Sequence, residues 1–285
     1  LYDAASQRWF LITDALDSTP GGDYTGDGWI DIMVSKTIDP RGAYWHYRLW
    51  LTNDGNHGTP DHNCDSGTGG SQCFGDYPQI GLDANGLYIS TNEFNWWGSG
   101  DFRAAQLYAI RKSDLIAASA TPTMRYFESV ITDGLGAAYD VTDVGTYTLQ
   151  PVNALPSQMV ANTMYFGMSW SPYTEPYTTD RFSVFTLSGT DNLGTASLGE
   201  TVVTTSVPYA SSPAGQQRTG QTPTLDDYNA GSEDATCLYY FGQRCRKIAS
   251  PIPLSTGGGK FYGAWLSNGF LLFTTAATAS GSGGA

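Results

Sequence analysis

Gln79-Ile80-Gly81-Leu82-Asp83-Ala84-Asn85-Gly86-Leu87-Tyr88-Ile89-Ser90 is the stretch that decides the fold class. Two apolar-rich runs flank Ala84-Asn85-Gly86, and Asn-Gly between alternating apolar residues is the strongest short-range signal for a β-hairpin. Working outward, Ala105 to Arg111 and Met124 to Val130 supply two further strands of the same unit. Upstream, Leu1-Tyr2-Asp3 and Arg8 to Ile12 read as a hairpin, followed by strands at Trp29–Ser35 and Tyr44–Leu51. Four antiparallel strands in under about 55 residues is the arithmetic of one propeller blade.

The pattern restarts twice more. A third unit runs through Thr148–Pro151, Met164–Met168, Arg181–Phe185 and Glu200–Val207. A fourth contains Cys237–Phe241 and Lys260–Trp265, with Asn268-Gly269 turning into Phe270–Phe273. Helix signals are nearly absent; Lys112 to Ala118 is the best candidate, at two turns. Without βα alternation a parallel α/β fold is excluded. The expected fold is all-β: a β-propeller or part of one, about four blades of four antiparallel strands, with a long-looped β-sandwich as the rival. The domain spans 1–278, and 279–285 is a Gly/Ser/Ala tail. The Gly-, Ser-, Thr- and Pro-rich stretches 54–75 and 210–222 read as rim loops, and Leu16–Asp27 and Asn53–Phe74 as long loops.

Composition agrees with many short strands and tight turns. Charged residues are only 14%, yet aromatics are 13%, which excludes a disordered chain. Net charge is −13, from 14 basic and 27 acidic residues. Such a surface repels nucleic acid and anionic membranes and favours cations. No apolar run approaches the roughly 20 residues of a membrane span. Cys64 and Cys73, and Cys237 and Cys245, form two local pairs whose spacing does not suit zinc. Two disulfide-closed loops are expected, hence an oxidising, extracellular location, the alternative being four free thiols in a cytosolic protein. The chain opens on Leu1, so a processed or truncated chain is expected, with targeting information upstream. No Asn-x-Ser/Thr sequon is present.

Tyr2-Asp3 followed by Arg8-Trp9 resembles a hairpin of a group of bacterial secreted propeller-like proteins. So do Asp76-Tyr77-Pro78-x-x-Gly81, Gly86-x-Tyr88 and Asn92-x-Phe94, and the strand and short helix of Ala105–Ala117. Thr224–Asp227 and the Asn268-Gly269 hairpin are weaker echoes. The sharp motifs cover the first 120 or so residues. The group is mostly of undefined function, so the resemblance implies fold and secretion rather than chemistry. Relatives of this kind carry further strands upstream, which implies an incomplete ring closed by a missing segment or a further chain.

The sharpest local motif is Asp23-Tyr24-Thr25-Gly26-Asp27-Gly28-Trp29-Ile30-Asp31. It resembles the calcium loops of integrin-type propeller repeats. Asp23, Thr25, Asp27 and Asp31 would give side-chain oxygens and Trp29 a backbone carbonyl to Ca²⁺. The competing reading is an ordinary Gly-Asp-Gly turn entering a strand. A second cluster, His57, Asp61, His62 and Asp65, reads as a solvated, disulfide-tied loop rather than a transition-metal site, since Gly58 and Pro60 forbid a helix. Trp96-Trp97 and Trp170 with Tyr173 sit in loops after strands. They would stack on sugar rings, or pack between blades. Asp76, Asp83, Glu93, Asp101, Glu175 and Asp180 lie near strand ends, and Asp76 and Glu93 flank one hairpin. Glycoside hydrolysis would need two such carboxylates facing a bond.

The expectation is therefore a secreted binding or structural propeller, calcium-stiffened, with a carbohydrate-binding aromatic face and a glycan or protein ligand. The alternatives are a glycoside hydrolase-like enzyme using those carboxylates, and a subunit of a larger extracellular assembly.

Overall fold

The computed structural model describes residues 1–62, 64, 72–97, 102–128, 148–170, 178–211, 261–275 and 277–279. The first sheet is a meander of β1 (Tyr2–Asp3), β2 (Arg8–Ser18), β3 (Tyr24–Ser35) and β4 (Tyr44–Trp50). The second repeats it with β5 (Cys73–Leu82), β6 (Gly86–Asn95), β7 (Phe102–Arg111) and β8 (Met124–Glu128), with the one-turn helix α1 (Lys112–Ile116) after β7. The third contains β9 (Gln150–Pro151), β11 (Thr163–Ser169), β12 (Thr178–Ser188) and β13 (Ser197–Ser211), plus β16 (Ala277–Ala279) at its edge. The fourth joins β10 (Asn153–Ala154) to β14 (Phe261–Ser267) and β15 (Phe270–Thr275). Pairing is antiparallel except between β10 and β14. The protein is all-β, and its described residues form four sheets.

Strand periodicity explains how the sheets stack. Side chains alternate between faces, so a strand covered on both sides is buried throughout. Residues Gly86 to Glu93 of β6 are all buried, which places the second sheet inside the molecule. β3 alternates instead: Ile30, Ile32 and Val34 are buried, whereas Trp29, Asp31 and Met33 on the outer face are half-buried. Phe10, Ile30, Ile32, Val34, Leu49 and Leu51 of the first sheet and its margin meet Leu87, Ile89, Tyr108 and Ile110 of the second. On the far side Tyr88, Leu107 and Ala109 meet Met164, Phe166, Met168 and Phe185 of the third sheet. Each large apolar side chain so buried contributes about 1.5–3 kcal/mol. The fourth sheet has a smaller core of Val152, Ala264 and Leu266. Phe182 of β12 reaches it, with ring centroids 6.0 Å from Phe261 and 5.8 Å from Phe273.

One device recurs between sheets. In the β1–β2 turn the Asp3 carboxylate accepts from the Ala5 N–H (3.3 Å) and the Ser6 hydroxyl (2.6 Å). It then reaches Lys112, just after the third strand of the next sheet, at 2.9 Å. In the β5–β6 turn Asp83 accepts from the Asn85 and Gly86 N–H groups (2.7 and 2.6 Å). It reaches the Thr190 hydroxyl, just after the third strand of its own next sheet, at 2.6 Å. An aspartate that caps a turn therefore also staples its sheet to the following one.

Two stretches read as long loops differ. Leu16–Asp27 is mostly strand: β2 runs to Ser18 and β3 starts at Tyr24, with a bulge between the pairs Leu16–Gly28 and Ser18–Tyr24. The loop after β4 closes on itself, since the His62 N–H donates to Asn53 O (2.8 Å) and Asp54 bridges Asp61. The expected helix ends at Ile116, and Ala118 leaves it in a left-handed conformation (φ 58°). The expected strand Cys237–Phe241 and residues 280–285 lie outside the described residues.

Candidate functional site

The chemistry-bearing residues that converge are Glu93 and His62, with Asn53, Gln106 and Tyr108 around them. Leu87, Ile89, Thr91 and Glu93 share the face of β6 that looks toward the first sheet, so that interface runs from apolar to charged along one strand. Gln106 and Tyr108 occupy the same face of β7, two residues apart. Glu93 is only 2% exposed. An ionised carboxylate survives such burial only when hydrogen-bonded. Here Asn53 Nδ2 donates to Oε1 at 2.7 Å, and Gln106 Nε2 to Oε2 at 3.3 Å. His62 Nδ1 lies 3.0 Å from both oxygens. Asn53 Nδ2 also lies 3.2 Å from the Tyr108 hydroxyl. Burial first, and the Glu93 charge second, push the Tyr108 phenol far above its ordinary pKa, so it stays neutral.

Local sequence delivers His62 there. Asn53 and His57 adopt positive φ, as do Gly55 and Gly58, and the Asp54 side chain caps Asn56. The loop thereby folds back and lays His62 beside Asn53. Its far limb is tied to β5 by the Cys64–Cys73 disulfide (Cα–Cα 5.2 Å). Cys73 and Gly75 pair with Asn95 and Glu93, which puts the Cys73 side chain on the Glu93 side of the sheet. His57 stacks on Trp50 at 3.9 Å, and Asp65 is outside the described residues. The cluster expected to be solvated thus divides, with one histidine turned deep inside.

The stretch read as a calcium loop lies along β3. Asp23 precedes the strand, Thr25 and Asp27 flank the bend at Gly26, and Trp29 and Asp31 continue it. Thr25 Oγ1 lies 3.3 Å from Asp17 and also accepts the Asp27 N–H. Asp31 is held by His46 at 2.9 Å and Arg48 at 3.3 Å on β4. Burial opposes its charge, but those two partners outweigh it and hold the carboxyl below the usual range. Among the described residues no three carboxylates of this stretch converge on one point. The glycines of the motif have another use. A Cβ on Gly26 would stand 3.1 Å from Trp97, and one on Gly28 3.0 Å from Trp96, so both indoles lie directly on the bare backbone.

Trp96 and Trp97 are half-buried between the first two sheets, and Trp96 meets Phe74 and Tyr24 edge-on. Trp170 is 5% exposed, and its Nε1 donates to Ser183 Oγ at 2.7 Å. It is a core residue and offers no stacking face, because a strand-end indole with a buried hydroxyl partner packs inward. Tyr173, Cys237 and Cys245 lie outside the described residues. Asp76 pairs with Asn92 while Gly75 pairs with Glu93, so Asp76 and Glu93 point to opposite faces and do not face one bond.

Open clefts also lie among the described residues. One, of about 350 Å³, is lined by turns of three consecutive sheets, including Ser6, Asn85, Arg111, Ser113 and Asp191. Another, of about 310 Å³, lies between β4 and the segment after α1, lined by Tyr47, Leu115, Pro122 and Met124. No protein-family model matches the chain, and no curated protein or solved structure is significantly similar to it.

Sequence reasoning placed Glu93 at a strand end and His62 in solvent. The signal for the pair was the alternation of β6, which assigns Glu93 to the face of Leu87 and Ile89. No sequence spacing links it to His62, 31 residues away.

Proposed function

We propose that the protein is an extracellular binding module of propeller architecture, whose ligand is a hydroxyl-rich molecule of the glycan type. The cleft at the turn end of the first three sheets is the site. The observation that carries this reading is the state of its polar groups. Among the described residues the Arg111 guanidinium, whose charge acts on Asp114, and the Asp191 carboxylate make no side-chain hydrogen bond, yet both line that cleft. Planar polar side chains with unused valence are what orient hydroxyls in small-molecule sites, and the volume falls in the range of such sites. The turn-capping aspartates, by contrast, are spent on stapling. The four-stranded meanders, stacked face to face with that staple repeated, support the propeller part of the reading. The Cys64–Cys73 disulfide supports an oxidising compartment.

Hydrolysis is not favoured, because Asp76 and Glu93 lie on opposite faces of their sheet. Calcium has no part in the reading, since Asp31 is committed to His46 and Arg48. The test is a glycan array probed with the protein, with Arg111→Ala and Asp191→Ala, and with Trp96→Ala/Trp97→Ala. Binding lost in the first two variants supports the cleft. Binding lost only in the tryptophan variant moves the site to the aromatic cluster. No glycan bound by the parent removes the reading.

A second reading, a subunit of a larger extracellular assembly, is favoured by the outer face of the fourth sheet. Tyr262, Trp265, Phe270 and Leu272 are 43, 48, 70 and 51% exposed there. An apolar sheet face of this kind marks a contact surface. Sedimentation showing a concentration-independent monomer would remove self-assembly.

A further inference from the structure

We propose that the protein, once its Cys64–Cys73 disulfide is reduced, binds one thiophilic divalent cation, zinc being the type, through Cys64, Cys73, His62 and Glu93. The ligand atoms of His62, Cys73 and Glu93 lie within 4.8 Å of one another. The fourth donor, the Cys64 sulfur, is bonded to Cys73. A tetrahedral zinc ion with sulfur at about 2.3 Å and nitrogen or oxygen at about 2.0–2.1 Å places its ligands about 3.4–3.8 Å apart. Three ligands are therefore already gathered, and the Cys64 sulfur joins them by swinging in once its bond to Cys73 opens. Cys64 and Cys73 are 3% and 0% exposed, and Glu93 is 2% exposed. Water competes poorly at such a site.

The surrounding groups suit a metal as well. The Asn53 and Gln106 amides already hold the two oxygens of Glu93, which fixes the carboxylate, and the Asn53 carbonyl lies 3.9 Å from the Cys73 sulfur. Outer partners of this kind set ligand orientation and metal affinity. In the disulfide the two sulfurs are bonded to each other and carry no charge, so the oxidised protein lacks the thiolates that a soft cation requires.

The chemistry balances as follows. A dithiol reductant loses two thiol hydrogens and closes its own disulfide. The Cys64–Cys73 bond breaks and each sulfur takes one hydrogen. The cation then displaces both thiol protons into solvent, and His62 binds through Nδ1 with its remaining proton on Nε2. Reoxidation, by a disulfide or another two-electron acceptor, reforms the bond and expels the cation. Metal and disulfide are thus alternative occupants of one buried position.

The test uses the whole chain with Cys237→Ser and Cys245→Ser, reduced by dithiol, desalted without oxygen, and titrated with Co²⁺ as the zinc probe. The expected result is one equivalent bound with a thiolate-to-cobalt charge-transfer band, displaced by one equivalent of Zn²⁺, and no band in the oxidised protein. Glu93→Gln, which keeps the shape but turns one acceptor oxygen into an NH2 donor, is expected to weaken binding roughly tenfold or more. The proposal is overturned if the reduced protein, with its β-type circular dichroism intact, gives no band. It is also overturned if the reduced protein has lost that spectrum, or if Glu93→Gln and His62→Gln each bind as tightly as the parent.

Discussion

The two large interfaces of the molecule solve one problem in different ways. Each begins as packed aliphatic and aromatic side chains and turns polar toward the same end of β6. Between the second and third sheets the polar part is neutral: the Ser90 hydroxyl donates to Leu149 O, and Asn92 exchanges two hydrogen bonds, each 2.8 Å, with Thr148. Between the first and second sheets it is charged, with Glu93 held by Asn53, Gln106 and His62, and a disulfide beside it. A neutral pair is cheap to bury and gives a modest net gain. A buried carboxylate is costly unless every partner is present. The first interface is therefore the more specific and the more brittle of the two.

The sharpest way to break this contrast is to remove the charged hub. Glu93→Ala strands three partners, two on the loop after β4 and one on β7, and is expected to cost about 3–5 kcal/mol in urea unfolding. Asn92→Ala, its neutral counterpart, is expected to cost about 1–3 kcal/mol. Equal losses would show that the two interfaces do not differ as described. The staples offer the same test at the turns. Lys112→Met should cost about 3 kcal/mol or more, because it leaves Asp3 buried without its cation. Thr190→Val should cost about 1–2 kcal/mol.

Acid should release the first staple only well into the acid range. Burial opposes the charge of Asp3, but the Ser6 and Lys112 hydrogen bonds and the Lys112 charge outweigh it and hold its carboxyl below the ordinary value. A depressed folded-state pKa contributes stability above the unfolded carboxylate range, and that stability is lost as pH falls through the folded value. Parent and Asp3→Asn should therefore differ most at neutral pH and converge in strong acid, read as urea midpoints across pH. An effect smaller than that of removing the charged hub is expected at the strand bend. Gly28→Ala pushes a methyl against Trp96 and should cost about 1–3 kcal/mol, visible as a shift in tryptophan fluorescence and in melting temperature.

Much of this architecture was legible because period-two patterning and Asn-Gly turns are local. The β5–β6 hairpin, the first two meanders, the short helix after Arg111 and the Cys64–Cys73 bridge all follow from neighbouring residues. What depends on contacts between distant segments was not legible. Gly26-Asp27-Gly28 has the composition of a cation loop. Its glycines also make room for two indoles some 70 residues further on, a need visible only once the sheets are stacked. Trp170 follows a strand in the same way as Trp96 does, yet Ser183 draws it into the core. His62 sits in a polar, glycine-rich stretch, and nothing in that stretch says that the loop folds under.

The repeated aspartate staple also has a mechanical side. The first sheet grips the second through Asp3, and the second grips the third through Asp83, each at the turn end. A pull on Leu1, whose ammonium is itself bonded to Phe10 O at 2.7 Å, is passed through Asp3 to Lys112. From there Lys112, bonded to Asp83 O at 2.5 Å, hands the load to the turn that grips Thr190. The first three sheets are thus pinned at both ends: by the aspartates at the turns, and by the Glu93 and Asn92 hydrogen bonds at the far end of β6.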